Sequence, residues 1–291
     1  MASLELSKNS PLRVGSVPYL VARPLNYGLE NEPNIALEYA VPARLIERLR
    51  GGDLDIALVS SIELFRQPGY SYLAGLAVAG SGYVGSVQMF LKKPLEEVRT
   101  VALDPASRTA QALVQVLGKL DPALAGGLEF QEVPLGEDPR SVDCDAWLRI
   151  GDPALFELLQ EGLPHYNPSE AWVRLTGMPF VFAAWIVRPG LDRAALEPFL
   201  HAFYEASARG TRAAARLAQE AAAEWSLDGE VIEAYLCDEC QHIISPAIQA
   251  RSLEAFGKYA LTIGLASQSG VPIPIEQHSV PTSSKLLERE S

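Results

Sequence analysis

Four stretches of this chain place small polar residues at or near the ends of runs that read as β-strands. Ser60-Ser61 follows Asp55–Val59 (DIALV), and Ser86 follows the glycine-rich Gly80-Ser81-Gly82-Tyr83-Val84-Gly85. Ser107-Arg108-Thr109 comes shortly after Val101-Ala102-Leu103, and Gly151-Asp152 comes directly after Ala146–Ile150 (AWLRI). In open α/β sheets, ligands lie outside the carboxyl ends of strands. Hydroxyls and free N–H groups at a helix start attract anions, each dipole interaction being worth about 0.3–1 kcal/mol. Each stretch also has an ordinary reading: Ser107 would cap the helix that follows it, and Asp152 the helix that Pro153 opens. Together the four predict one cleft that binds a small anion through Ser60, Ser61, Ser86, Ser107, Arg108, Thr109 and Gly151.

Other chemistries find little support. No GxGxxG is read after a strand, and there is no GxxxxGKS/T loop, GxSxG elbow or HExxH pair. The histidines, His165, His201, His242 and His278, are scattered singly, as structural or surface histidines are. Cys237-Asp238-Glu239-Cys240 forms a CxxC with His242 nearby, but a second ligand pair of the kind zinc sites use is not evident. It is read as packing, with residues 237 and 240 on one face of a helix, and no metal is expected.

The elements that must position these groups alternate. Leu12–Val17 reads as a strand, a helix begins near Pro24, Ile35–Tyr39 is a strand, Pro42–Arg50 a helix stopped by Gly51-Gly52, and Asp55–Val59 a strand with the continuous apolar character of a parallel sheet. This β-α-β-α-β beginning predicts a doubly wound α/β protein. A second unit follows: strands at Ser86–Leu91, Thr100–Leu103, Leu128–Val133, Ala146–Ile150 and Phe180–Val187, with a helix over Ser107–Leu120. Ala194–Trp225 is helical, Glu230–Leu265 reads as two more helices, and the proline-bearing tail from Ser267 as loose. At 291 residues the chain exceeds the usual ~100–200 per domain, so two lobes are expected. They are a first lobe over 12–93 completed by helices over 188–267, an inserted lobe over 94–187, and a tail over 268–291.

A formal net charge of −12 opposes binding to nucleic acid and to anionic membranes, and neither partner is expected. No run approaches the ~18 apolar residues of a spanning helix. Met1–Pro11 lacks the apolar core of a secretory signal. A cytoplasmic location is expected, where the three cysteines would stay reduced.

Several motifs, in order over roughly 12–265, resemble the chorismate dehydratase family of menaquinone biosynthesis. They are Arg13-Val14-Gly15, Tyr19-Leu20 and Pro24-Leu25; Gly52–Ser61 (GDLDIALVSS); Val84-Gly85-Ser86-Val87; Ile150–Leu155 (IGDPAL); and Trp172 with Thr176–Trp185 (TGMPFVFAAW). The resemblance implies a two-lobed α/β protein with the type II periplasmic-binding-protein fold, a ligand cleft between the lobes and no metal or organic cofactor. It implies loss of water from chorismate to give 3-(1-carboxyvinyloxy)benzoate on the futalosine route, with the substrate's own enolpyruvyl carboxylate as a proton acceptor. Tyr19 joins the expected substrate contacts, and Ser86 and Asp152 are the expected catalytic residues, Asp152 because a carboxylate buried in a cleft can have a raised pKa. The family usually reads Tyr-Leu-Asn where this chain has Tyr19-Leu20-Val21, so the amide regarded as a site residue is missing. Arg23 is the nearby donor that could meet a carboxylate, or else a solvated side chain. Two alternatives stand: a non-catalytic binding protein for small anions on the same fold, and 1,4-dihydroxy-6-naphthoate synthase. The latter's Ser-Pro-Cys-Pro-Asn-like loop is not matched by Val17-Pro18-Tyr19-Leu20. Chorismate is the expected partner, with a homodimer left open.

Overall fold

The apolar strands divide between two sheets. The computed structural model describes residues 10–124, 126–267 and 272–276. The strands are β1 (Leu12–Ser16), β2 (Ile35–Tyr39), β3 (Ile56–Ser60), β4 (Ser71–Gly80), β5 (Val87–Leu91) and β6 (Thr100–Leu103), then β7 (Glu129–Glu132), β8 (Ala146–Ile150), β9 (His165–Tyr166), β10 (Phe180–Val187), β11 (Cys240–Ile243) and β12 (Ile273–Ile275). The helices are α1 (Arg23–Asn26), α2 (Pro42–Gly51), α3 (Arg108–Leu120), α4 (Asp152–Phe156), α5 (Pro168–Thr176), α6 (Arg193–Arg212), α7 (Ala214–Trp225), α8 (Gly229–Ala234) and α9 (Pro246–Thr262). The first sheet runs β11-β4-β10-β3-β1-β2 with β12 also beside β4, and the second runs β7-β6-β8-β5-β9.

In the first sheet β1 pairs in parallel with β2 and β3, as strands joined by helical crossovers must. Every residue of β3 is buried, which explains its unbroken apolar run. The intervening α2 starts on Pro42 and buries Leu45, Ile46 and Leu49. It ends on Gly52 at φ +79°, the left-handed cap that favours glycine. The long α6 crosses α1 with the two backbones in contact: a Cβ on Gly210 would lie 2.0 Å from the Pro24 carbonyl oxygen. Fully buried Asp55 ties three strands at their base. It accepts from the Arg13 N–H (3.0 Å), from Arg13 Nε (2.9 Å) and Nη2 (2.8 Å), and from Arg188 Nε (3.0 Å).

The expected lobe limits at 93/94 and 187/188 do not coincide with the sheets. β5 pairs with β8 and β9 in the second sheet, while β10 lies between β3 and β4 in the first. The chain therefore crosses at 81–86 and returns at 177–179. Both strands are apolar runs, and such a run does not say which sheet it joins; Lys92-Lys93-Pro94 is a turn inside the second unit rather than a boundary. β4 was not foreseen, because SYLAGLAVAG is rich in alanine and glycine and poor in β-branched residues, yet nine of its ten residues are buried.

The C-terminal part departs from two helices. After α8 comes one turn of π-helix, Tyr235–Glu239, then β11 beside β4, then α9. Cys240 thus opens a strand while Cys237 sits in the π-turn, so the two do not share a helical face. Within the tail, Ile273–Ile275 pairs in parallel with Ser71–Leu73 instead of hanging loose. Met1–Asn9, 268–271 and 277–291, including His278, lie outside the described residues.

Candidate active site

A cavity of about 670 Å³, including its opening to solvent, lies where the two sheets meet. Ser60, Ser86, Ser107 and Gly151, one from each of the four stretches, line it together with Tyr19. Ser107 caps α3, its Oγ accepting the Ala110 N–H at 3.2 Å, and its own O–H remains to donate. Both expected roles of that residue are therefore compatible. Gly151 adopts φ +71° and ψ −156°, a region essentially reserved for glycine, and its N–H donates to the Ser86 carbonyl at 2.8 Å. The Tyr19 ring covers it, 3.4 Å from where a Cβ would be. Burial, with help from Asp104 and Asp152, raises the Tyr19 phenol to about 12, so it is a neutral donor at neutral pH. Among the described residues no lysine, arginine or histidine lines the cavity. The polar groups that the lining offers to a ligand are hydroxyls and backbone N–H groups.

The other expected contacts lie elsewhere. Ser61 is fully buried and donates to the Val181 carbonyl at 2.6 Å. The Thr109 hydroxyl accepts the Ile62 N–H at 3.1 Å, so these two residues tie α3 to the first sheet instead of facing a ligand. Arg108 reaches Gln111 at 3.1 Å and Glu132 at 3.8 Å, away from the cavity. Arg23 lies 3.9 Å from Glu224 and lines a separate pocket with Asn26, Tyr27 and Tyr39. Asp152 neither lines the cavity nor caps its own helix. Its carboxyl accepts the Leu20 N–H (3.2 and 3.4 Å), a hydrogen bond from the α4 start to the turn after β1. Burial raises it to about 6, against the lowering effect of that hydrogen bond and of Arg23.

Several residues that bear on the site were not foreseen. Asp104 is buried beside Ser107, accepts the N–H groups of Ala106 (2.8 Å) and Ile150 (3.0 Å), and is raised by burial. Its position at a strand's carboxyl end was the one available signal. His242 is buried and lowered to about 4 by that burial, so it is neutral. Its Nε2 lies 2.9 Å from the Val21 carbonyl and supports the turn that carries Tyr19. Val21 itself lines the cavity, so the position where an amide was anticipated presents an apolar surface. Cys240 also lines it, and burial keeps its thiol protonated. Contrary to the expectation, a GxGxxG does follow a strand: Gly80–Gly85 carries that spacing at the end of β4, but it leads to β5 and opens no helix, so it lacks the helix N-terminus on which a pyrophosphate would sit.

The fold is shared with binding proteins. A protein from Archaeoglobus fulgidus superposes with a TM-score of 0.71 at 18% identity, covering 89% of this chain and 100% of that one. The alkanesulfonate-binding protein of Xanthomonas axonopodis pv. citri gives 0.64 at 18% identity over 91% and 97%. A Candida albicans protein with the generic periplasmic binding protein fold gives 0.59 at 11% identity over 88% and 92%. In sequence, the chorismate dehydratase of Thermus thermophilus is 29% identical over 253 residues, which is 81% of this chain and 91% of that protein. Among the described residues no helix is long and apolar enough to cross a membrane. Residues 12–261 match the family described as menaquinone biosynthesis, and over that span, most of its length, the chain belongs to this family.

Proposed function

We propose that this protein is a chorismate dehydratase, removing one water from chorismate to give 3-(1-carboxyvinyloxy)benzoate. The observation that carries the reading is the convergence of Ser60, Ser86 and Ser107 on one cavity, in a chain of this family with a chorismate dehydratase among its relatives. Charge-assisted hydrogen bonds are worth about 1.5–3 kcal/mol each, so three hydroxyls and the α3 N-terminus can hold a dicarboxylate without a fixed cation. The proposal includes a hydro-lyase that needs no metal or organic cofactor, a cytoplasmic location and no nucleic-acid or membrane partner. The acidic net charge supports the last point.

The reaction breaks the C3–H bond, places its electron pair in the new ring double bond, and releases the C4 hydroxyl, which leaves as water after taking up a proton. Aromatisation drives it, so the protein's task is to orient the ring and exclude bulk water. The acceptor of the C3 proton is the substrate's own enolpyruvyl carboxylate. Supporting this, the lining includes no carboxylate or imidazole among the described residues, and the Asp152 carboxyl is engaged by the Leu20 N–H. Ser86 serves as donor to the reacting substrate.

Asp152 then acts by position, holding the Tyr19-Leu20 turn against Gly151. Asp152→Asn keeps an oxygen acceptor for the Leu20 N–H, and turnover is expected to stay within about tenfold of wild type. A fall of about 10²–10⁴ would instead make Asp152 the base. Its raised pKa means that the folded protein binds the extra proton between the ordinary aspartate value and about 6. Stability from this group is therefore greatest in acid and declines as pH rises through that window. The neutral amide escapes the decline, so the variant should melt no lower than wild type at pH 7.

The whole reading is tested by incubating the protein with chorismate, without added metal or cofactor, and following products by chromatography and mass. Formation of the enolpyruvyl benzoate is the expected result. Stoichiometric binding with no conversion would defeat it in favour of a binding protein.

A further inference from the structure

Tyr235 opens the π-turn between α8 and β11 and is 2% exposed. Two contacts fix this turn against the crossing that carries Ser86. Glu239 accepts the Gly85 N–H at 2.7 Å, and Cys240, next after the turn, is in register with Gly80 at the start of that crossing. The Tyr235 hydroxyl is within reach of the Ser86 hydroxyl and the Cys240 thiol, both of which line the cavity, while Tyr235 itself does not. The hydroxyl makes no hydrogen bond of full geometry to either of them. A buried hydroxyl without a well-formed hydrogen bond is costly and calls for a reason, and single π-turns are frequent at functional sites. Burial holds the phenol protonated, so it is available as a donor. Of the two groups it faces, the serine oxygen is the better acceptor and the thiol a weak one.

We propose that Tyr235 is a positioning residue for Ser86: its hydroxyl donates to Ser86 Oγ when substrate engages the serine, and so directs the Ser86 proton into the cavity. Hydrogen bonds that are long or misaligned in a free enzyme tighten in this way in the working complex. A serine hydroxyl otherwise rotates freely between several acceptors. One donor from outside the lining selects the rotamer that points into the cavity, and a donor chain polarises each successive O–H bond.

Tyr235→Phe keeps the ring and removes only an oxygen that makes no well-formed hydrogen bond in the free protein, so its melting temperature should equal or exceed wild type. With chorismate as substrate, kcat is expected to fall about tenfold while KM changes less than about threefold, because the aim of the serine matters most as the leaving group departs. In a Ser86→Ala background the same substitution is expected to change nothing further. Wild-type kcat in Tyr235→Phe, or equal losses in both backgrounds, overturns the proposal. The inference rests on the chorismate reading, yet the two fail separately. If the wild-type protein leaves chorismate unchanged, that reading falls, and the pair is then judged by calorimetric binding of 3-(1-carboxyvinyloxy)benzoate. Non-additive losses in affinity support Tyr235; additive losses, no effect, or no binding by wild type overturn it.

Discussion

Ser86→Ala is expected to lower kcat on chorismate about a hundredfold, since one charge-assisted donor is worth about 1.5–3 kcal/mol and donors to developing charge are worth 10²–10³ in rate. Ser86 is singled out among the three serines by its surroundings. It occupies the crossing between the sheets, its carbonyl accepts the Gly151 N–H at 2.8 Å, and the Tyr235 hydroxyl is within reach of its side chain. Removing one oxygen leaves those backbone bonds intact, so melting should move by no more than a degree or two, about what less than 1 kcal/mol does in a protein of this size. Ser60→Ala and Ser107→Ala remove groups that bind substrate and transition state alike, so their losses should appear mainly in KM. The measurement is kcat and KM for the three variants by product formation. A Ser86→Ala enzyme within twofold of wild type would take Ser86 out of the chemistry.

How the strand ends were legible, and how their neighbours were not, follows from strand geometry. A strand buried on both faces must be a nearly continuous apolar run, so β3 and, with Arg149 as its one break, β8 announce themselves and their last residues point to the site. Side chains alternate at a period of two, however, and a doublet such as Ser60-Ser61 does not say which member faces the ligand. Ser60 does, while Ser61 turns to the Val181 carbonyl. The same holds for Ser107 and Thr109 at the start of α3, where only the cap remains in the cavity. Asp152 was recognised as a buried carboxylate, but its partner, the Leu20 N–H, lies 132 residues away. No local pattern encodes such a contact. β4 hid because packing between β10 and β11, rather than intrinsic strand preference, makes Ala-Gly sequence extended. β11 hid because four residues before a proline-started helix resemble its first turn, and the open edge of β4 decides the matter.

Asp55→Ala is expected to cost about 3 kcal/mol at neutral pH. Breaking a buried ion pair costs about 3–5 kcal/mol, and the lower end applies because the Arg13 side chain is 38% exposed and partly screened. Asp55 itself is fully buried, and the Arg188 side chain is 8% exposed. Burial alone would push this carboxyl up, but the hydrogen bonds from Arg13 and Arg188 outweigh it and hold the group below the ordinary aspartate value. The folded state therefore releases the proton more readily than the unfolded chain does. Its stabilisation is complete above the unfolded value near 4 and is lost as pH falls through the depressed native one. Urea unfolding of wild type and variant at pH 7 and again near pH 3 reads both effects: a gap of about 3 kcal/mol at pH 7 that narrows in acid. A gap below about 1 kcal/mol at pH 7, or one that acid leaves unchanged, would deny Asp55 this role. The consequence reaches the cavity because the strands tied here are those that deliver its wall. β1 leads to Val17 and Tyr19, β3 ends at Ser60, and β10 contributes Phe182 and Ala183. Loss of the tie at the base of these strands should therefore lower chorismate turnover in proportion to the folded fraction, with KM of the remaining enzyme unchanged, whereas a lesion in the cavity changes KM or kcat in fully folded protein.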